Sequence, residues 1–133
     1  MHALIADDDG ISAAHLAGLL RGRGLAVTVV ADGAEARRVL GAGARNIDLA
    51  LLNWMLPGAD GWRLAEELAG ASRPPVTVLM ARRAFVGELR RRRPAGAEDF
   101  LGKPLRDAEV AAVLARAAEK LPLPGGPPQP ACA

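Results

Sequence analysis

Hydrophobic and polar positions alternate along this chain in two rhythms. Ala3–Ala6 is a short apolar run that stops at Asp7-Asp8-Asp9. From Ile11 to Leu20 the spacing turns helical, with Ile11, Leu16, Leu19 and Leu20 on one side and Gly24 placed to end the helix. Leu25–Val30 is a second, β-branched run, and Ala34–Leu40 reads as a helix with paired arginines outside. Ile47–Leu52 is a third apolar run, followed by the turn signal Leu56-Pro57-Gly58. Asp60 is placed to cap a helix through Leu68. Pro75–Met80 predicts a fourth strand and Ala84–Arg93 a helix stopped by Pro94. Asp99–Gly102 predicts a short fifth strand, and Asp107–Lys120 a last helix. Five β-α units predict an α/β fold, a parallel sheet with helices on both faces. The near-continuous apolar character of strands one, three and four fits burial on both sides.

The segment 121–133 breaks the pattern, with five Pro and two Gly in thirteen residues. It reads as a tail or the start of a linker, which sets a domain at 1–120. A chain of 133 residues is one domain's worth, given roughly 100–200 residues per domain. Half of it is hydrophobic, yet only Phe85, Phe100, Trp54 and Trp62 are aromatic. The core must therefore be aliphatic. The longest apolar stretches, such as Val110–Ala115, fall far short of the ~20 residues a membrane span needs, so no membrane partner is expected. Charge arrives at Asp7 with no basic stretch before it, which does not read as a signal peptide. A lone Cys132 excludes a disulfide framework or a cysteine zinc site and suits a reducing, cytoplasmic setting. The net charge of +2 does not by itself point to nucleic acid. The run Arg90–Arg93 is accounted for by cations complementing a helix C-terminus.

Ligands of open α/β sheets bind outside the carboxyl ends of the strands. That rule gathers Asp7 and Asp8 after strand one, Asn53 after strand three, Met80 after strand four and Lys103 after strand five. Closely spaced carboxylates repel unless a cation lies between them, and hard oxygen ligands suit Mg²⁺. Lys103 is the alternative counter-charge, and Asp9 reads as a helix cap.

The motifs Leu4-Ile5-Ala6-Asp7-Asp8-Asp9, Leu51-Leu52-Asn53-Trp54-Met55-Leu56-Pro57-Gly58 and Asp99-Phe100-Leu101-Gly102-Lys103-Pro104 together resemble a response-regulator receiver domain. The resemblance spans about residues 2–120. It implies a non-enzymatic signalling module of two-component type with the CheY-like, flavodoxin-like (βα)5 topology, strand order 2-1-3-4-5. It also implies an aspartate after strand three that takes a phosphoryl group from a histidine kinase. Asp7 and Asp8 match the acidic pair that holds Mg²⁺, and Met55 would add its backbone carbonyl. Lys103 matches the phosphoryl-contacting lysine, Pro104 the proline after it, whose bond is often cis, and Phe100 the aromatic switch.

Two positions depart from the family pattern. Asn53 stands at the phospho-acceptor position, and a carboxamide has no nucleophile comparable to a carboxylate. Met80 stands where a Thr or Ser hydroxyl contacts the phosphoryl group, while Ala81 keeps the small residue expected next. The reading is a pseudo-receiver, phosphorylation-independent, with a weakened Mg²⁺ site, acting through protein or small-ligand binding. The resemblance places the partner face on the fourth helix, fifth strand and fifth helix, with Arg82, Arg83, Arg90 and Asp99 as candidates. A homodimer through that face would use a charge set to which Asp99 belongs, although Val113 replaces an expected arginine. DNA enters only if an output domain follows residue 133. One alternative is a working receiver carrying an engineered Asp-to-Asn change at 53. Another is a Mg²⁺-dependent phosphatase built on Asp7-x-Asp9, Lys103 and Thr77.

Overall fold

The computed structural model describes residues 1–43 and 46–121. Strands β1 (His2–Ala6), β2 (Ala26–Val30), β3 (Leu49–Asn53), β4 (Val76–Arg82) and β5 (Ala97–Lys103) alternate with helices α1 (Gly10–Gly22), α2 (Gly33–Gly43), α3 (Gly61–Ala69), α4 (Arg83–Arg92) and α5 (Asp107–Ala118). The strands form one parallel sheet in the order β2-β1-β3-β4-β5, as expected. The proline-rich stretch lies outside the described residues from 122 onward. No helix among the described residues is long and apolar enough to cross a membrane.

Alternation along the strands feeds two apolar layers. Ile5, Leu51, Val78, Met80 and Leu101 pack with Leu16, Leu20, Val110 and Val113 of α1 and α5. Leu4, Leu52, Leu79 and Phe100 pack with Leu40, Leu64, Leu68 and Leu89 of α2, α3 and α4. Both faces of β1, β3 and β4 are therefore covered, which explains why those segments read as unbroken apolar runs. Trp54 and Trp62 are partly buried against the second layer.

The helix starts follow local chemistry. Asp9 caps α1, its carboxylate accepting from the Ile11 N–H (3.1 Å) and the Ser12 hydroxyl (2.7 Å). Asp60 caps α3 by accepting from the Arg63 N–H (2.7 Å). Most boundaries move by a residue or two from the sequence expectation, and those of β4, β5 and α5 have a local cause or bear on the site. β4 runs on to Arg82 and passes directly into α4 at Arg83, because Ala81 and Arg82 continue the ladder with Gly102 and Lys103. β5 begins at Ala97, two residues early, because Gly96 at φ +87° turns the chain straight into the sheet. A register shift at Thr77/Val78 leaves Glu98 facing outward, where it pairs with Lys120. α5 ends at Ala118 rather than Lys120.

Candidate functional site

The ends of β1, β3, β4 and β5 meet on one rim, and the charges there are paired within the chain. Asp7, directly after β1, is only 3% exposed. One of its oxygens accepts from the Lys103 ammonium at the end of β5, and the other from the Asp9 N–H (3.0 Å). A buried carboxylate is tolerated when its oxygens are met in this way. Asp9 is occupied as the α1 cap, and the Ser12 hydroxyl holds its carboxyl below the ordinary range.

Asn53, the last residue of β3, is held from two sides. Its Nδ2 donates to Asp8 Oδ1 (3.3 Å) and to the Met55 carbonyl oxygen (2.9 Å). Neither partner oxygen can donate, so the network fixes which end of the amide faces them. The backbone around this residue is crowded. The Trp54 N–H donates to the Met80 carbonyl (2.7 Å), and the Gly61 N–H to the Trp54 carbonyl (2.9 Å). A Cβ on Gly61 would lie 2.3 Å from the Asn53 carbonyl oxygen, so only glycine permits that approach.

Strand ends supply the predicted rim, with one correction. The Met80 side chain is fully buried and packs in the layer beneath α1 and α5, so it does not line the rim. A thioether without a polar partner gains more from the core than from the strand end. Ala81 and Lys103 do line the cleft, together with Asp8, Asn53 and Met55. Thr77 sits at the opposite end of β4, buried, its hydroxyl donating to the Pro75 carbonyl (3.3 Å). This removes it from the constellation a phosphatase would need. The Lys103–Pro104 bond is cis, as the resemblance implied. Phe100 is 2% exposed, with the Arg90 guanidinium 5.6 Å above its ring.

Several contacts escaped the sequence. Phe85 of α4 meets Trp54 edge to face, with ring centroids 5.7 Å apart. Arg82 joins the cleft lining. Arg83 ties α4 to the segment after β5, donating to the Pro104 carbonyl (2.8 Å), the Gly102 carbonyl (3.4 Å) and Glu109 (3.0 Å). This pairing holds the Glu109 carboxyl below its ordinary range. A Cβ on Gly102 would stand 3.2 Å from Arg83, so the missing side chain was the one available hint. Asp99 is nearly buried and accepts from Arg116 of α5 (2.6 Å), which raises the guanidinium pKa. Of the four residues expected on the α4-β5-α5 face, Arg83 and Asp99 are thus engaged internally. Arg82 and Arg90 form no ion pair among the described residues. Glu88 takes up Arg91 and Arg92.

The rim residues as they are paired do not fit a divalent cation. No group of three or more His, Cys, Asp or Glu converges among the described residues. Both Asp7 oxygens, Asp8 Oδ1 and the Met55 carbonyl already accept from Lys103, Asp9 and Asn53, which leaves Asp8 Oδ2 as the one candidate oxygen with no donor among the described residues.

Comparison with known proteins agrees with this architecture. A family model described as the response regulator receiver domain matches residues 3–115. The two-component response regulator ORR11 of Oryza sativa is 31% identical over 118 residues, 86% of this chain and 79% of that protein. The DNA-binding response regulator MtrA of Mycolicibacterium paratuberculosis is 35% identical over 116 residues, 85% of this chain and 49% of MtrA. Among solved structures, the receiver domain of the sensor histidine kinase PA1611 from Pseudomonas aeruginosa superposes with a TM-score of 0.75 at 28% identity. That match covers 89% of this chain and 97% of the other, whose structure has a magnesium ion coordinated in the active site cleft.

Proposed function

This chain belongs to the response regulator receiver domain family, and from that premise we propose that it is a receiver that works without phosphorylation of residue 53. Its output is set by protein contact or by a small molecule held at the strand-end rim. One observation carries the reading: the Asn53 amide donates to both Asp8 and the Met55 carbonyl, the groups that the resemblance assigns to a cation. A carboxamide there supplies neither the nucleophile for an acyl phosphate nor the third negative charge that would draw Mg²⁺. Lys103 is drawn into a buried pair with Asp7 and is not available as a free phosphoryl contact. The protein is a signalling module and not an enzyme. Its protein partner docks on the α4-β5-α5 face, with Arg82 and Arg90 as the cations that form no ion pair among the described residues. DNA is reached only if an output domain follows residue 133.

The test is intact-mass measurement after incubation with acetyl phosphate and Mg²⁺. The native chain is expected to gain no phosphoryl mass. A stable adduct on the native chain would overturn the proposal.

A further inference from the structure

We infer that two copies of this chain pair through the free edge of β2, antiparallel about a two-fold axis. In the strand order β2-β1-β3-β4-β5 the sheet has two edges, β2 and β5. β5 is blunted in the ways that keep edges from pairing. Glu98 and Asp99, with their partners Lys120 and Arg116, put charge along it, and its register with β4 is irregular beside Glu98. β2 has neither device. Ala26-Val27-Thr28-Val29-Val30 holds no charge and no proline, is mostly β-branched, and keeps an unbroken register with β1 from end to end.

The backbone shows which groups are open. The Ala26 N–H donates to the Met1 carbonyl (3.0 Å), and the Val30 carbonyl accepts from the Asp7 N–H (3.1 Å). Residues 26, 28 and 30 therefore turn their amide groups toward β1, and Val27 and Val29 turn theirs away from the sheet. Among the described residues, the outward groups have one hydrogen bond, from the exposed Arg21 to the Val27 carbonyl at 3.4 Å. A contact that long, from a solvated side chain, gives way to a backbone N–H. The Val29 side chain is itself 43% exposed.

The occupant is a second copy because the edge is complementary to itself. Pairing centred on Thr28 sets Val27 opposite Val29 of the second copy, and Val29 opposite its Val27. Both positions carry outward amide groups, so each such pair exchanges both N–H···O bonds. The charges at the strand ends agree with this direction. Arg21 and Arg23 precede β2 and are exposed, while Asp32 and Glu35 follow it and are half-buried. None of them forms an ion pair among the described residues. With Arg38, a turn further into α2, the far end still sums to a negative charge. An antiparallel two-fold lays the basic end of each copy along the acidic end of the other. A strand of five residues buries little surface, so the dimer is a reversible one, with Kd on the order of 10–100 µM. The α4-β5-α5 face lies at the opposite edge and stays open to a protein partner.

The test is sedimentation equilibrium of the native chain from about 5 to about 500 µM, a range that brackets the expected Kd, with amide hydrogen exchange followed residue by residue. A monomer–dimer equilibrium is expected, and the Val27 and Val29 amides, fast to exchange when dilute, should slow together as the dimer forms. Val29→Pro removes an outward donor and spares the β1 ladder, and Val29→Lys puts a charge on the edge. Each should weaken association about tenfold or more. Arg23→Glu should weaken it about threefold to tenfold, and added salt should act in the same direction. Position 29 is partly exposed and Arg23 fully so, and unchanged melting temperatures of Val29→Lys and Arg23→Glu should show them folded. Arg90→Glu, on the opposite edge, should leave the dimer as it is. A monomer at every concentration, which would leave the edge to another protein's strand, would overturn the inference. So would Val27 and Val29 amides indifferent to concentration, or a dimer that Arg90→Glu dissociates and both Val29 variants spare.

Discussion

Replacing Asn53 by Asp changes one NH₂ group to an oxygen and reverses the local electrostatics. In the native chain Nδ2 donates at 3.3 Å to Asp8 and at 2.9 Å to the Met55 carbonyl. In the variant both contacts become acceptor against acceptor. Losing two hydrogen bonds costs about 0.5–1.5 kcal/mol each. Two unit charges about 3 Å apart repel by roughly 1.5 kcal/mol in water-like surroundings and roughly 5 kcal/mol at an effective dielectric of 20. Asn53 is half-buried and Asp8 exposed, and the new carboxylate can turn partly outward, so the lower part of that range applies. The sum is about 2–4 kcal/mol of lost stability without a cation. For a domain of this size that lowers the melting temperature by roughly 8–16 °C. The same substitution creates a three-carboxylate site, so Mg²⁺ should bind the folded variant. A concentration about tenfold above its Kd returns about 1.4 kcal/mol. The assay is thermal unfolding by circular dichroism, in chelator and in Mg²⁺, for both proteins. The native chain is expected to melt at one temperature in both buffers, and the variant to melt low in chelator and recover in Mg²⁺. A native melting temperature that climbs with Mg²⁺ like the variant's would refute the reasoning, as would a variant equal to the native chain in chelator.

Two further predictions concern the pairs around this site. Lys103→Met leaves the buried Asp7 carboxylate without its cation and should cost about 3–5 kcal/mol in urea unfolding. Adding Asp7→Asn to that background should restore part of the loss, and simple additivity of the two substitutions would contradict the pairing. Asp9 is held below the ordinary carboxyl range by Ser12 and the α1 N-terminus, so its charge stabilises the fold above the unfolded value near 3.9. That contribution is lost as pH falls through the depressed folded value. Asp9→Asn keeps a capping oxygen without the charge, so its urea midpoint should trail the native one by a constant amount above about pH 5 and converge with it in acid. A gap that widened toward low pH would be the wrong sign.

What could be read from the chain follows from where burial is two-sided. β1, β3 and β4 lie between helices, every side chain in them except at one end of each is buried, and unbroken apolar runs announce them. The start of β5 was hidden because Glu98 points to solvent and Asp99, although nearly buried, is polar. Asp99 is tolerable there only because Arg116 and the Phe100 N–H satisfy it, and a partner seventeen residues away leaves no local mark. The rim was legible for a different reason. Parallel topology brings strand ends together, so Asp7, Asp8, Asn53 and Lys103 could be grouped before any coordinate was known. Their pairing could not, since it depends on which donor reaches which oxygen. Arg83 was expected on a partner face and not in its internal ties, and Phe85 was assigned no place at the site, because neither contact leaves a local mark in the sequence. The direct passage of β4 into α4 is what brings Arg83 against Gly102 and Phe85 against Trp54.

Asn53 is where the two kinds of reading add most to each other. Sequence alone reports a lost nucleophile, which any uncharged residue would produce equally well. The hydrogen bonds make the choice of carboxamide specific. Alanine or leucine at 53 would leave the exposed Asp8 Oδ1 and Met55 carbonyl to water, at a cost of about 0.5–1.5 kcal/mol for each bond lost. Asparagine is isosteric with the expected aspartate, keeps the space filled and supplies the donor to both oxygens. It thereby removes one negative charge from a rim where Asp7 already consumes the only nearby lysine. The substitution that ends the acyl-phosphate chemistry thus also bridges Asp8 to the Met55 carbonyl, while Asp8 keeps its negative charge without an ion pair among the described residues.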